Sequence, residues 1–483
     1  MVEVGAGKTR FFVKPNIMQC NCSYVILDPK GEIVRDTGNL LEKEGYKVKI
    51  LDLVTPKLSH CYNPFKYIQD DNDVQKLVAN LFKSTTPKGA GASSDPFWDI
   101  SAQMLLSALI FYLKYEAPED EQNFATVGEM LRAGKVKEDD EDYESPLDIL
   151  FKRLEYRNPN HIAVKYYKDY HSGAGRTLKS IQVTLSSKLE KFNIEEIAGL
   201  TMTDEMELDK LGEEKMAVFA VIPDTHTSYN FLVSILYTQI FQNAFYRADN
   251  KYKGALPMPI HFLMDEFANV ALPDDFEKIL SVMRSRNVFV SIILQNISQL
   301  KALFEKQWES IIGNCDEFLY LRSEMNNLLI KWFQNSYGKE SIDLNTYGKS
   351  TGHSGSYSTN YQSTGRELLM ADEVRMLDND KAILLIRGEK PVIDFKYDIL
   401  KHPNVKFTTD GNGDVYEYGK VDKRAGIIAP LTVEEMQNTK DIEYVKDIQI
   451  DENLELLSEE DIENYIYMEE IENERKQKNN EQE

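Results

Sequence analysis

The sequence is poor in cysteine and has no long apolar run. Its 483 residues include four cysteines, at positions 20, 22, 61 and 315, and their spacing fits neither a disulfide framework nor a paired metal motif. No run of eighteen apolar residues predicts a membrane-spanning helix, and no signal peptide is visible. These absences argue against a disulfide-stabilised secreted domain and favour a reduced, cytoplasmic chain.

Basic residues are outnumbered as well, with 56 Lys and Arg against 79 Asp and Glu and a net charge of −23. Over the whole chain this balance argues against nucleic-acid binding, because phosphate backbones attract basic surfaces. The imbalance is local, however: residues 441–483 hold 16 acidic and four basic side chains, about half of the net charge. This tail is either disordered or a docking surface for basic partner proteins, and it says little about a site elsewhere.

What the chain does contain, near its start, is the core of a phosphate-binding loop. The residues concerned are Gly5, Ala6, Gly7, Lys8, Thr9 and Arg10. In such a loop, backbone N–H groups and the following helix hold phosphate, the lysine reaches the β and γ phosphates, and the threonine hydroxyl binds Mg²⁺. The set predicts binding of ATP and Mg²⁺, with Thr9 as a metal ligand.

The front of this motif is incomplete. A full motif has a glycine six residues before the lysine, where Val2 stands, and a complete strand before the loop. We therefore expect this chain to be an N-terminally truncated form of a longer protein.

Predicted strands and helices alternate through much of the chain. Short apolar runs at 23–27, 47–53, 216–222, 259–264 and 288–294 predict strands, with helical periods between them. This alternation predicts an α/β fold with a mostly parallel sheet and a ligand site at the carboxyl ends of its strands. We expect a nucleotide-binding domain in two parts (1–122 and 211–400), an all-α insertion (123–210) and an acidic, partly disordered extension (401–483).

The region after the last of these strands is predicted in less detail. Residues 325–337 have a helical period, residues 338–365 have the composition of a mobile loop, and 382–386 with 391–395 predict a hairpin around Gly388.

Asp265 and Glu266 follow the predicted strand at 259–264. In a phosphate-loop ATPase the first of two such carboxylates holds the water shell of Mg²⁺ and the second polarises the attacking water. The alternative is a solvated acidic turn, which the presence of the phosphate loop makes the weaker explanation. A glutamate at this position indicates hydrolysis rather than phosphoryl transfer to an acceptor.

Gln295 ends the next predicted strand, and Arg284 and Arg286 precede it. A glutamine there can sense the γ phosphate, and an arginine at a subunit edge can reach the nucleotide of a neighbour. The alternatives are a capping glutamine and a solvated basic turn.

The order of these motifs resembles the TraG/TraD-like type IV secretion coupling proteins of conjugative systems, over residues 4–395. The resemblance is carried by Gly-Ala-Gly-Lys-Thr-Arg-Phe-Phe, Asp-Pro-Lys-Gly-Glu, Asp-Pro-Phe-Trp, Phe-Leu-Met-Asp-Glu-Phe-Ala-Asn, Arg-Ser-Arg-Asn, Ile-Leu-Gln-Asn-Ile-Ser-Gln-Leu and Gly-Asn-Cys-Asp. It implies a RecA-like domain related to FtsK-type DNA pumps, in a hexameric ring. It also implies ATP hydrolysis that drives single-stranded DNA, with bound relaxase, toward the secretion channel.

The same resemblance implies partners and a location. The partners are relaxase, accessory relaxosome proteins and channel ATPases, and the full-length parent lies at the cytoplasmic face of the cell membrane. By the same resemblance, Lys8 and Thr9 are expected to bind phosphate and Mg²⁺, Asp265 and Glu266 to handle metal and water, and Gln295 to sense the γ phosphate. Two other functions stay open: a truncated, non-hydrolytic module that docks relaxosome or channel proteins, and a pump that handles proteins alone.

Overall fold

The computed structural model describes residues 7–86, 96–136, 143–173, 175–224, 228–270, 276–321, 339–349, 357–367, 370, 373–374 and 376–419, with only the backbone for 339–349 and 357–367. The predicted helix at 325–337 lies outside these residues.

Helices and strands alternate along this part of the chain. In order, they are a π-helical turn (Thr9–Val13), α1 (Lys14–Ile17), β1 (Ser23–Pro29), α2 (Glu32–Lys43), β2 (Lys47–Asp52), α3 (Asp71–Thr85), α4 (Pro96–Glu116), α5 (Phe124–Ala133), α6 (Pro146–Arg157), α7 (Ile162–His171), α8 (Gly175–Leu189), α9 (Glu195–Met202), β3 (Met216–Ile222), α10 (Asn230–Asn250), β4 (Ile260–Met264), α11 (Phe276–Met283), β5 (Val288–Ile292), α12 (Ile297–Leu303), α13 (Trp308–Gly313), β6 (Glu317–Tyr320), β7 (Lys339–Lys349), β8 (Tyr357–Glu367), β9 (Lys381–Ile386) and β10 (Val392–Phe395).

Five parallel strands form the main sheet of the described chain, in the order β2-β3-β1-β4-β5. The central strand β1 pairs with β3, where Tyr24 lies opposite Ala217, and with β4, where Tyr24 lies opposite His261. On the far side of β4, Ile260 lies opposite Val288 of β5. The predicted parallel α/β sheet is confirmed, and the carboxyl ends of β1, β4 and β5 lie side by side.

The sheet is covered on both faces. Successive side chains of a strand point to opposite faces, so Val25 and Leu27 of β1 lie in a large core with α3, α4 and α10. Tyr24 and Ile26 lie in a smaller core with α1 and α2. Because the central strands meet water on neither face, they are almost continuously apolar, and every residue of β3 is buried.

The chain between β2 and β3 is helical. Helix α4 packs on α3, α7 and α8, and the rings of Phe124 and Phe192 stack 4.4 Å apart between α5 and the turn before α9. These side chains belong to the same large core as the sheet. The predicted limits of an all-α insertion, 123–210, stay a prediction.

Among the described residues, α4 is the one helix with the length and composition of a membrane span. Its apolar residues are those of a core helix, since Leu105, Leu106, Leu109 and Ile110 are fully buried against neighbouring helices.

The expectation of a mobile loop at 338–365 is wrong for much of that segment. β7 and β8 pair antiparallel over eleven residues each, from Lys339 opposite Glu367 to Lys349 opposite Tyr357. The glycine and serine content predicted a loop, but the segment also contains Ile, Tyr and several Thr, which favour extended backbone. The predicted hairpin around Gly388 is confirmed as β9 and β10, which pair antiparallel and continue to β6.

Residues after β10 pack against the small-core side of the sheet. Ile399 is buried beside Leu40 of α2, Tyr418 donates to Asp52 at the end of β2, and the ring of Tyr416 lies against Gly38. A side chain at position 38 would collide with that ring. The packed chain therefore continues to residue 418, past the predicted boundary at 400.

Candidate active site

The phosphate loop leads directly into a helix. Gly5 and Ala6 lie outside the described residues, and Gly7 has a φ of +67°. A Cβ atom at Gly7 would lie 2.5 Å from the ring of Phe11, so both the backbone angle and the close approach require glycine. The helix begins as a π turn and becomes α-helical at Lys14. The change comes just before Pro15, which has no N–H for an α-helical bond to residue 11.

Lys8 lies at the carboxyl end of β5. Its ammonium group donates to the carbonyl of Leu294 at 3.1 Å. Burial lowers the pKa of Lys8, while the nearby carboxylates of Asp265 and Glu266 oppose that change. The fold thus brings the loop lysine to the same sheet edge as both predicted acidic residues, which lie 257 and 258 positions further along the chain.

Thr9 and Asp265 are in direct contact. The Thr9 hydroxyl donates to Oδ2 of Asp265 at 2.6 Å, and Oδ1 of Asp265 accepts from the backbone N–H of Glu266 at 3.1 Å. Asp265 is only 5% exposed. A hydroxyl and a carboxylate side by side are hard oxygen donors of the kind that Mg²⁺ prefers, so this pair fits the predicted metal ligands.

Glu266 lies where the chain leaves β4 and turns. Its backbone is left-handed, with φ 53° and ψ 44°, so its side chain no longer follows the alternation of the strand. Its Oε2 accepts from the side-chain amide of Asn269 at 3.0 Å. Glu266 is also close enough to Lys30, after β1, to act on it electrostatically. The turn lets two adjacent acids serve different atoms.

Gln295 is exposed beyond the end of β5, next to the Leu294 carbonyl that accepts from Lys8. Its backbone N–H donates to the side chain of Gln299 at 3.1 Å. The structure thus places Gln295 beside the phosphate loop, on the strand next to the one that carries the acids.

The two candidate arginines differ in their surroundings. Arg286 makes a two-pronged ion pair with Asp249, at 2.9 and 2.8 Å, and lies 5.0 Å from the ring centre of Phe245. Arg284 has an 80% exposed side chain and one longer contact, 3.4 Å, to Asp316. Arg286 is therefore held within its own chain, and Arg284 is the more exposed of the two.

Alanine variants separate these two arginines. We expect Arg284→Ala to lower ATP turnover at least about 10-fold, as loss of a charge-stabilising arginine does, with an unchanged melting temperature. Arg286→Ala should instead lower the melting temperature by a few degrees, because a bidentate pair and a ring contact are lost. Turnover and thermal unfolding measured on both variants check this, and the reverse pattern would assign the catalytic role to Arg286.

Arg10 is paired away from the loop. Its guanidinium bonds to Asp410 at 3.0 Å, and the same carboxylate accepts from Lys14 at 2.9 Å. Lys14 also pairs with Asp36 of α2. The segment after β10 thus forms ion pairs with the basic residues of the helix that follows the phosphate loop.

Asp28 is a buried acid at the carboxyl end of β1. It has no exposed surface, and it accepts from the backbone N–H groups of Ile33 and Val34 at 3.1 and 2.8 Å. Burial raises the pKa of Asp28 to about 7, against the opposing effect of these two bonds.

This shift predicts a pH-dependent stability. Because the folded state favours the protonated acid, the stabilising contribution of Asp28 is full below about pH 4 and is lost as pH rises to about 7. A shift of about three pKa units corresponds to about 4 kcal/mol. We expect wild type to lose up to that amount relative to Asp28→Asn between pH 4.5 and 8 in urea unfolding. A constant difference between the two proteins across this range would contradict the shift.

Three residues near the site were not predicted from sequence. Asn269 follows Glu266 at a spacing of three, Lys30 lies within the Asp-Pro-Lys-Gly motif, and Asp410 belongs to the assumed extension. The spacing from Glu266 could have indicated Asn269. Nothing in the local sequence connects Asp410 to position 10.

Comparison with known proteins places this arrangement in a family. Residues 3–413 match the family model described as "Type IV secretory system Conjugative DNA transfer". The fold is similar to that of the bacterial conjugative coupling protein TrwB, with a TM-score of 0.57 at 15% identity over 82% of each chain. A TrwB structure in complex with ADP and Mg²⁺ has a TM-score of 0.56 at 14% identity, over 82% of this chain and 83% of that one.

The chain is also similar to curated relatives. The chain is 21% identical over 400 residues to the protein VirD4 of Rhizobium rhizogenes and to VirD4 of Agrobacterium fabrum. These matches cover 80% of this chain and 56% of each relative, so the chain spans little more than half of their length. On the family match and the RecA-like α/β fold, this chain belongs to the type IV secretion family of conjugative DNA transfer proteins.

Proposed function

We propose that this chain is the ATP-hydrolysing motor of a type IV coupling protein. The observation that supports this most is the contact of Thr9 with Asp265, with Lys8 and Glu266 at the same sheet edge. Nucleotide binding alone would not need a second acid beside the metal ligand. The combination of loop lysine, hydroxyl, metal-binding acid and adjacent glutamate is that of a hydrolytic site.

Each residue then has a distinct task. Lys8 exchanges the carbonyl of Leu294 for the β and γ phosphates of ATP, and Thr9 with Asp265 holds Mg²⁺. When bound, Mg²⁺ neutralises phosphate charge. Glu266 accepts a hydrogen bond from the attacking water, and Gln295 senses the γ phosphate from the next strand. Arg284 stabilises charge on the nucleotide of the neighbouring subunit in a homo-hexameric ring.

The work done by this motor is transport of single-stranded DNA with its attached relaxase toward the secretion channel. The relatives are conjugative coupling and transfer proteins, and a motor that moves any cargo sequence needs contacts with the DNA backbone rather than with particular bases. Accessory relaxosome proteins and channel ATPases are its protein partners, and the cytoplasmic face of the cell membrane is its place of action.

ATPase activity of the purified chain, with and without circular single-stranded DNA, tests this function. We expect turnover that rises several-fold with DNA and falls back at high salt, because phosphate contacts are screened. Activity indifferent to DNA would indicate a pump for proteins alone. If the chain is inactive with and without DNA, and Val2→Gly gives no turnover either, the motor function is wrong and the docking module gains support.

A further inference from the structure

Glu266, proposed above as the catalytic glutamate, is held by a short turn whose last residue bonds back to it. Glu266 precedes a single 3-10 turn, Phe267–Asn269. The backbone N–H of Asn269 donates to the carbonyl of Glu266 at 2.9 Å, and its side-chain amide donates to the carboxylate at 3.0 Å. One residue thus binds both the main chain and the side chain of the glutamate.

The Phe267–Asn269 turn is itself bonded to the start of α10. The side-chain amide of Asn230, the first residue of α10, donates to the backbone carbonyl of Asn269 at 2.7 Å. Asn230 is 5% exposed, and its Oδ1 has no hydrogen-bond partner among the described residues. An unpaired buried amide oxygen is unfavourable. The bond from the side-chain amide of Asn230 to the carbonyl of Asn269 is therefore a contact that favours this position of Asn230.

The bond from Asn269 involves only one of the two carboxylate oxygens of Glu266. In the described structure Oε2 accepts from Asn269, and Oε1 has no hydrogen bond to another described residue. Lys8 and Lys30 are both within electrostatic range of this carboxylate. A glutamate that must accept a proton or a hydrogen bond from water needs a fixed orientation with one free oxygen.

We propose that Asn269 is a positioning residue for Glu266, and that Asn230 supports it from the N-terminus of α10. The proposal rests on the hydrolytic function proposed above. Asn269 fixes Oε2 and aims Oε1 at the attacking water, while the left-handed backbone of Glu266 carries the side chain out of the strand. The chain Glu266–Asn269–Asn230 also joins the catalytic carboxylate to the long buried helix behind the sheet.

Substitution of Asn269 tests this role through the kinetics of hydrolysis. We expect Asn269→Ala to lower kcat about 10- to 100-fold, as loss of orientation does, with the KM for ATP unchanged within about two-fold because Asn269 touches no ligand. Asn269→Asp, of the same size, should be at least as slow, since it replaces a donor with a second negative charge. Asn230→Ala should lower kcat less. Asn250→Asp, at the far end of α10, is the matched control and should keep wild-type kcat.

A double substitution separates positioning from stability. In a Glu266→Gln background, Asn269→Ala should change the residual turnover by less than about two-fold, because the group it positions is already lost. An equal loss in both backgrounds, or wild-type kcat in Asn269→Ala, would overturn the proposal.

Hydrogen exchange of the nucleotide-free chain gives a reading that does not depend on activity. Glu266→Ala and Asn269→Ala should each speed amide exchange at 267–270, and the double variant should add nothing further. Additive or absent effects would overturn the bond network. If the variants show this coupled exchange but the wild-type protein does not hydrolyse ATP, the hydrogen-bond network is supported and the hydrolytic function itself is wrong.

Discussion

We expect Glu266→Gln to lower ATP turnover by about 10²- to 10⁴-fold, the range for loss of a general base, while ATP stays bound. The amide has nearly the size of the carboxylate and keeps an oxygen for Asn269, so the turn after β4 is preserved. It cannot take a proton from water. Lys8, Thr9 and Asp265 are unchanged, so the phosphates and Mg²⁺ keep their ligands. Bound nucleotide identified after denaturation should be ATP in the variant and ADP in wild type.

A matched control for this substitution is Glu190→Gln. Glu190 is exposed in the 3-10 turn before α9, remote in sequence from the loop and from β4, and its variant should turn over ATP at the wild-type rate. Wild-type turnover in Glu266→Gln would remove Glu266 as the base. Loss of ATP binding together with turnover would instead assign Glu266 to the binding of metal or nucleotide.

We expect Lys8→Ala to weaken nucleotide binding and to slow turnover strongly. A hydrogen bond to a charged group contributes about 1.5–3 kcal/mol, so loss of the lysine should raise the Kd for ATP about 10- to 100-fold. Turnover should fall at least about 10³-fold, because the ammonium group also stabilises charge that develops in the transition state. Titration with a fluorescent ATP analogue and steady-state hydrolysis measure the two effects separately.

The fold should tolerate this change. Among the described residues Lys8 makes one hydrogen bond, to the Leu294 carbonyl, and its half-buried ammonium group has a lowered pKa because burial disfavours the charge. Lys165→Ala on the exposed side of α7 is the control and should bind and hydrolyse ATP normally. If Lys8→Ala keeps wild-type affinity, the phosphate loop of this chain does not bind nucleotide and the docking-module alternative gains support.

The parallel sheet was predictable because its central strands are buried on both faces. Such strands appear in the sequence as short apolar runs bounded by turns and separated by helical periods. The position of the acids after β4 could be predicted for the same reason, since the end of an apolar run marks the edge where ligands bind in such folds. The hairpin of β7 and β8 was missed because its polar composition, with glycine and serine, is shared by loops and by strands exposed to solvent.

Sequence alone determined the fold class and indicated which residue types suit phosphate, metal and water, because these depend on local patterns: a glycine-rich loop, apolar periods and acids at a strand end. Tertiary structure decided what each group touches. It joined Thr9 to Asp265, Arg10 to Asp410 and Glu266 to Asn269 with Asn230 behind it, and it paired Arg286 while leaving Arg284 exposed. Most of these contacts link residues tens to hundreds of positions apart. Their formation depends on strand order and on helix packing, which no local pattern encodes.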